Sequence, residues 1–183
     1  SKAPMGSAMV VDPQTGKILA MANLPTYNPA EYGKVQDPAA FNNGTVSAPY
    51  EPGSDVKTLT MAIGLDKGVV EPDSTFNNTD TIKVEDRTIG NATKGQTGNI
   101  TFQKAMDYSL NTGFVTVAQR LGDGKSINRN ARDTMYEYFH DKFGLGVLTG
   151  VEVAGEAKGT VVPPTDIDGG AVRYSNMAFG QGL

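Results

Sequence analysis

A Pro-Gly break at Pro52-Gly53 runs straight into an apolar helical pattern whose first residues include Ser54 and Lys57. This junction constrains the chain more than any other. The pattern from Ser54 to Lys67, stopped by Gly68, predicts a helix whose apolar content suits burial. On a helix, positions three apart share a face, so the Lys57 amine reaches the Ser54 hydroxyl. A serine hydroxyl is a poor nucleophile until a neighbouring base takes its proton. A helix N-terminus also leaves free backbone N–H groups beside the reacting centre. The same two residues fit a plainer role, because serine is a favoured helix N-cap and lysine commonly lies solvated on a surface.

A second element follows about 55 residues on, in Asp107-Tyr108-Ser109-Leu110-Asn111-Thr112-Gly113-Phe114. It joins two helix-like stretches. Ser109 and Asn111 flank one residue, so an extended or turning backbone points both toward one side. A hydroxyl and a carboxamide placed there suit proton relay and amide binding. The chain holds a second Ser-x-Asn at Ser126-Ile127-Asn128, read as a helix N-cap region. The capping role stays open for the first copy as well.

Composition removes several classes of function. The 183 residues, 38% of them hydrophobic, suit one domain with a core, read here as residues 1–183. The net charge of −4 and a pI near 5.0 argue against a nucleic-acid surface, and the lysines are scattered. There is no cysteine, so neither a disulfide scaffold nor a thiolate site is possible. One histidine, His140, rules out a His-rich metal cluster, and the acidic residues show no metal-loop spacing. No metal or cofactor is expected. No apolar run reaches the length of a membrane-spanning helix. The absence of a leader and of an initiator methionine reads as a chain cut at both ends.

Coarse patterning places these motifs. Met5–Val11 and Lys17–Ala22 read as paired strands around a turn at Asp12–Gly16. Residues 23–52 read as a long loop. A small hairpin is expected from Ile82–Val84 and Thr88–Ile89. Helices are expected from Ile100 or Thr101 to Tyr108, from Gly113 to Leu121, from Ser126 or Asn128 to Lys142, and over Arg173–Phe179. Phe114, Val117, Ala118 and Leu121 recur at helical spacing and read as core. Phe143–Pro164 reads as turns and short strands.

The ordered set of motifs resembles the penicillin-binding transpeptidases, and looks most like their monofunctional class B members of septal or elongation synthesis. The resemblance covers almost the whole chain. It rests on Ser7–Ala22, Leu24-Pro25-Thr26-Tyr27-Asn28-Pro29, Glu51-Pro52-Gly53-Ser54 with Lys57, and Ser109-Leu110-Asn111-Thr112 with Leu121-Gly122. It continues through Phe143-Gly144-Leu145-Gly146, Thr149-Gly150-Val151-Glu152, Gly155-Glu156 and Phe179-Gly180-Gln181-Gly182. The resemblance implies a mixed α/β, serine β-lactamase-like fold, with a central antiparallel sheet flanked by helices. It also implies a catalytic set of Ser54, Lys57, Ser109 and Asn111, with Ser54 and Asn111 touching substrate.

In that set Ser54 is the nucleophile and its backbone N–H an oxyanion donor. Lys57, kept neutral by burial and nearby positive charge, is the general base. Ser109 passes a proton to the leaving amine, and Asn111 binds the substrate amide and fixes Lys57. Asp55 departs from the small polar residue usual there, and its carboxylate favours a protonated Lys57. The expected reaction is cross-linking of D-Ala-D-Ala stem peptides of peptidoglycan through an acyl-enzyme, with β-lactams as mimics. The same residues serve a D,D-carboxypeptidase, a serine β-lactamase, a β-lactam sensor or a non-catalytic scaffold.

The resemblance further implies an extracytoplasmic setting, a membrane anchor upstream and cell-wall synthesis proteins as partners. The family's Lys-Thr/Ser-Gly strand is expected beyond Gly182, since Lys158-Gly159-Thr160 has the wrong order. The C-terminal strands are therefore expected to be missing, the chain alone inactive, and the sheet completed by a continuation or a second chain.

Overall fold

The computed structural model describes Ala3 and residues 5–183. The chain forms two compact units. One is the chain up to Pro49 together with Leu148–Lys158, and the other is Tyr50–Val147 with Gly159–Leu183. The architecture is mixed α/β, and among the described residues the strands pair as three antiparallel two-stranded ribbons.

The first unit is built on a hairpin. Strands β1 (Gly6–Val11) and β2 (Ile18–Leu24) pair with Gly6 opposite Leu24 and Val10 opposite Ala20, with a register shift after Val10. Asp12 shapes the turn: its carboxylate accepts from Gln14 N and Thr15 Oγ1, and its backbone carbonyl accepts from Gly16 N. Those bonds hold its carboxyl below the ordinary value, the Thr15 hydroxyl most of all. The stretch expected as an open loop carries short helical turns at Pro29–Lys34 and Pro38–Phe41, and a single-turn helix α1 (Gly44–Ser47). The side chains of Asn28, Asp37 and Asn43 cap them, which is how an Asn- and Pro-rich segment gains local order. Residues 148–158 form turns, with Glu156 accepting from Thr149 and Gly150. The short strands expected within Phe143–Pro164 are absent, because these glycine-rich turns leave no continuous extended run to pair.

The second unit holds the core. Helix α2 (Val56–Asp66) follows a 3-10 turn at Gly53–Asp55. It ends as expected at Gly68, whose φ of +63° suits glycine, with Lys67 N donating to Ile63 O. Strand β3 (Thr75–Asn78) pairs with β6 (Gly98–Thr101), and β4 (Thr81–Val84) pairs with β5 (Arg87–Gly90). Helices α3 (Phe102–Asp107) and α4 (Asn111–Arg120) come next, then α5 (Arg129–Tyr136) with a π-helical extension over Glu137–Lys142, and finally α6 (Ala171–Met177). Asn128 caps α5 by accepting from Ala131 N, so the second Ser-x-Asn is the capping site its sequence suggested.

Helix α4 is the hub. It packs against α2, α3, α5, α6 and the ribbon strands β3, β4 and β5. Phe114, Val115, Val117 and Ala118 are all fully buried, so apolar residues cover more of this helix than the single expected stripe. Gly64 lets α2 approach closely, since a Cβ there would lie 2.8 Å from Val117 Cγ1. Each fully buried Phe, Ile or Leu contributes roughly 1.5–3 kcal/mol, which fixes α2 and α4 as rigid supports. Among the described residues no helix is long and apolar enough to cross a membrane.

Candidate active site

Ser54 lies in the 3-10 turn that opens α2, one turn before Lys57. Neither helix start carries a side-chain cap hydrogen bond, so the Ser54 hydroxyl is not spent on capping. Its partners are the side chains of Lys57 and Ser109 instead. Lys57 Nζ donates to Ser54 Oγ at 3.2 Å, and Ser109 Oγ donates to it at 3.1 Å. Lys57 Nζ also donates to Ser109 Oγ and to Ser109 O, both at 2.8 Å. Three groups from two distant segments thus form a closed triangle.

Lys57 is not the solvated lysine that its sequence equally allowed. The residue is 2% exposed, with Nζ 5.5 Å from the Phe114 ring centroid. Its hydrogen-bond partners are hydroxyl and carbonyl oxygens rather than a carboxylate. Burial without an opposite charge disfavours the ammonium and brings the pKa from 10.5 down to about 8. The expected contribution of nearby positive charge is not the cause; desolvation is. The expected pull of Asp55 toward the protonated form is not seen, since burial alone accounts for the downward shift.

Ser109 sits in the tight link between α3 and α4 with a left-handed φ of +53°, uncommon for a residue with a side chain. The link is held by Ser109 N donating to Met106 O, by Leu110 N donating to Ala105 O, and by the fully buried Leu110 side chain. This turn aims the Ser109 hydroxyl and carbonyl at Lys57. Asn111 opens α4, and its Nδ2 donates to Gly90 O at 2.9 Å. The expected contact of Asn111 with Lys57 is not formed in this structure: Ser109 bonds the lysine, and Asn111 Nδ2 bonds the end of β5.

The approach to Ser54 is locked from the far end of the chain. Gly53 N donates to Gly180 O at 2.9 Å, Gly182 N donates to Glu51 Oε1 at 2.7 Å, and Thr60 Oγ1 donates to Ala178 O at 2.9 Å. Phe179-Gly180-Gln181-Gly182 therefore underlies the Gly53–Asp55 turn. The sequence showed the motif without showing what it touches. Asn78, Asn91 and Thr112 form a buried polar cluster beneath the start of α4, and no spacing rule pointed to it.

The family model described as the penicillin binding protein transpeptidase domain matches residues 6–183. The chain is 34% identical over 177 residues to penicillin-binding protein PbpB of Mycolicibacterium smegmatis, covering 97% of this chain and 26% of that protein. It is 32% identical to stage V sporulation protein D of Bacillus subtilis, covering 96% of this chain and 26% of the relative. It is 30% identical to peptidoglycan D,D-transpeptidase FtsI of Escherichia coli K12, covering 100% and 28%. The chain thus spans about a quarter of the length of these relatives. Among solved structures, penicillin binding protein 3 of Mycobacterium tuberculosis complexed with aztreonam is similar at a TM-score of 0.78 and 31% identity, over 98% of this chain and 37% of the other. The D,D-transpeptidase domain of a peptidoglycan glycosyltransferase from Eggerthella lenta is similar at a TM-score of 0.82 and 25% identity, over 98% and 42%.

Proposed function

Because the chain belongs to the penicillin-binding protein transpeptidase family, we propose that it carries the nucleophile, base and proton relay of a serine D,D-transpeptidase acting on peptidoglycan stem peptides. The observation that carries this reading is the triangle of Ser54 Oγ, Lys57 Nζ and Ser109 Oγ around a buried lysine without a carboxylate partner. A lysine so placed gives up its proton far more easily than a solvated one, and a neutral amine is the form that accepts a serine proton.

The reaction follows from that geometry. Ser54 Oγ attacks the carbonyl of the penultimate D-Ala while its proton passes to Lys57 Nζ. Collapse of the tetrahedral adduct breaks the C–N bond to the terminal D-Ala. Ser109 Oγ, in contact with both Lys57 and Ser54, hands a proton to the departing amine and is reprotonated by Lys57. An amine from a second stem peptide then attacks the Ser54 ester, gives up its proton along the same relay and leaves cross-linked peptide and free serine. The Ser54 backbone N–H serves as an oxyanion donor, a contribution of about 10²–10³ in rate for such a group. Asn111 contacts the substrate amide, β-lactams acylate Ser54, and the protein works on the outer face of the cytoplasmic membrane with other cell-wall synthesis proteins.

The hairpin supports a further part of the reading. Val10 and Leu19 are exposed on a two-stranded ribbon, which is marginal alone. Additional strands pair with it, from the continuing polypeptide or from a second chain.

The test incubates the intact protein that carries this chain with a stem peptide ending in D-Ala-D-Ala, with and without an acceptor amine, and follows D-Ala release and products by mass spectrometry. Transfer to the amine supports the transpeptidase. Hydrolysis alone makes it a carboxypeptidase, and rapid turnover of penicillin makes it a β-lactamase. No reaction with peptide or penicillin leaves the scaffold.

A further inference from the structure

Helix α4 begins without a local cap. Its N-cap residue is Leu110, whose side chain is apolar and buried, and no side chain near it in sequence accepts from the first turn. The cap comes instead from Asn91, at the end of β5. Asn91 Oδ1 accepts from Thr112 N at 3.0 Å and lies 3.1 Å from Thr112 Oγ1. Thr112 Oγ1 donates to Asn78 Oδ1 at 2.8 Å. Asn91 Nδ2 reaches Asn78 Oδ1 at 3.2 Å and Asp80 Oδ1 at 3.3 Å. The cluster is anchored outward by Asn78 Nδ2 donating to Gln96 O and by Gly95 N donating to Asp80 Oδ2. Beside it, Asn111 Nδ2 donates to Gly90 O.

Apolar contacts hold a helix in place without fixing its direction finely, since the hydrophobic effect is non-directional. Buried polar groups are costly when any member goes unsatisfied, and apolar replacements can be as stable. What this cluster adds is geometric. It pins two consecutive residues, Asn111 and Thr112, to the consecutive residues Gly90 and Asn91. Ser109 lies two residues upstream, in a left-handed conformation that persists only when its surroundings over-determine it. Leu110 packing fixes one side of that turn and the Gly90-Asn91 clamp fixes the other.

We propose that Asn91, acting through Thr112 as the cap of α4 from a distant strand end, is a positioning residue that aligns Ser109 with Ser54 and Lys57. The inference rests on the acyl-transfer reading of that triangle. Displacement of a catalytic group by even a fraction of a bond length lowers rate, with about 1 Å costing roughly 100-fold.

The experiment measures acylation of the intact protein by a fluorescent penicillin, giving both the rate constant and the fraction finally labelled. Thr112→Val removes the hydroxyl at nearly constant shape, Thr112→Ser restores it, and Asn91→Ala removes the cap. Met135→Ala, in the core on α5, serves as a control for lost stability. The expected result is a rate constant roughly 10-fold lower for Asn91→Ala and Thr112→Val, with labelling still complete and with recovery in Thr112→Ser. The Met135→Ala control keeps the parent rate per labelled molecule. Rates within about twofold of the parent in both variants overturn the inference alone, making the cluster purely structural. No labelling of the unsubstituted protein overturns the acyl-transfer reading and the inference with it.

Discussion

Gly180 accepts a hydrogen bond from Gly53 at 2.9 Å, in a backbone contact so close that a Cβ on Gly180 would lie 1.8 Å from Gly53 O. Gly180 also holds a φ of +86°, where only glycine is unstrained. The residue before Ser54 is therefore set by Gly180, more than a hundred residues along the chain.

Gly180→Ala is expected to lose about 1–3 kcal/mol of stability through overpacking against backbone that cannot yield. It is also expected to slow acylation of Ser54, because the Gly53–Asp55 turn must shift. Denaturant unfolding with penicillin labelling of the same variant measures both. Unchanged stability with unchanged labelling contradicts the contact's role.

The lowered Lys57 pKa sets the pH dependence of acylation. The neutral amine is the active form, so the acylation rate is expected to rise tenfold per pH unit below about 8 and to level off above it. Stopped-flow acylation across that range measures the midpoint. A midpoint near 10.5, the ordinary lysine value, contradicts a desolvated base.

The same group links stability to pH. In the unfolded chain the lysine titrates near 10.5, and in the folded chain near 8. Between these values the unfolded state binds more protons, so folding stability gains from this group as pH rises. Below about 8 the full cost of burying the charge is present. Against Lys57→Met, which cannot titrate, the parent is expected to gain about 3 kcal/mol on going from pH 7 to above 10.5. Paired urea titrations at several pH values measure the difference, and parallel stability curves contradict it.

Ser109 separates strain from chemistry. Ser109→Gly relieves the left-handed backbone and is expected to be about 1 kcal/mol more stable than Ser109→Ala, which loses the same hydroxyl and keeps the strain. It removes the hydroxyl that touches both Ser54 and Lys57, so acylation is expected to fall roughly 100-fold. Ser109→Ala is expected to lose the rate as well. Thermal melts and labelling rates on the two variants distinguish these effects.

What the sequence made legible was local. The spacing of Ser54 and Lys57, the helix stop at Gly68 and the β4–β5 hairpin each follow from contacts within a few residues. The alternative in which Ser54 caps its helix and Lys57 is solvated could only be decided by burial, which depends on Phe114 and Ser109 more than fifty residues away. The β3–β6 ribbon escaped because Thr75–Asn78 and Gly98–Thr101 are polar, short and separated by another hairpin. The contact expected between Asn111 and Lys57 is not formed, for a related reason. The spacing of Asn111 from Ser109 suggested a shared face, but the left-handed turn at Ser109 sends the two side chains to different partners. The Asn91 cap left no trace in local pattern, since Leu110 looks like an uncapped helix start.

The most direct test of the account is intact-mass spectrometry of the protein that carries this chain after exposure to benzylpenicillin, alongside Ser54→Ala. The account expects one penicilloyl group per molecule, located on the peptide containing Ser54 and absent from Ser54→Ala. An unmodified parent, or an adduct that survives Ser54→Ala, contradicts the assignment of Ser54 as the nucleophile.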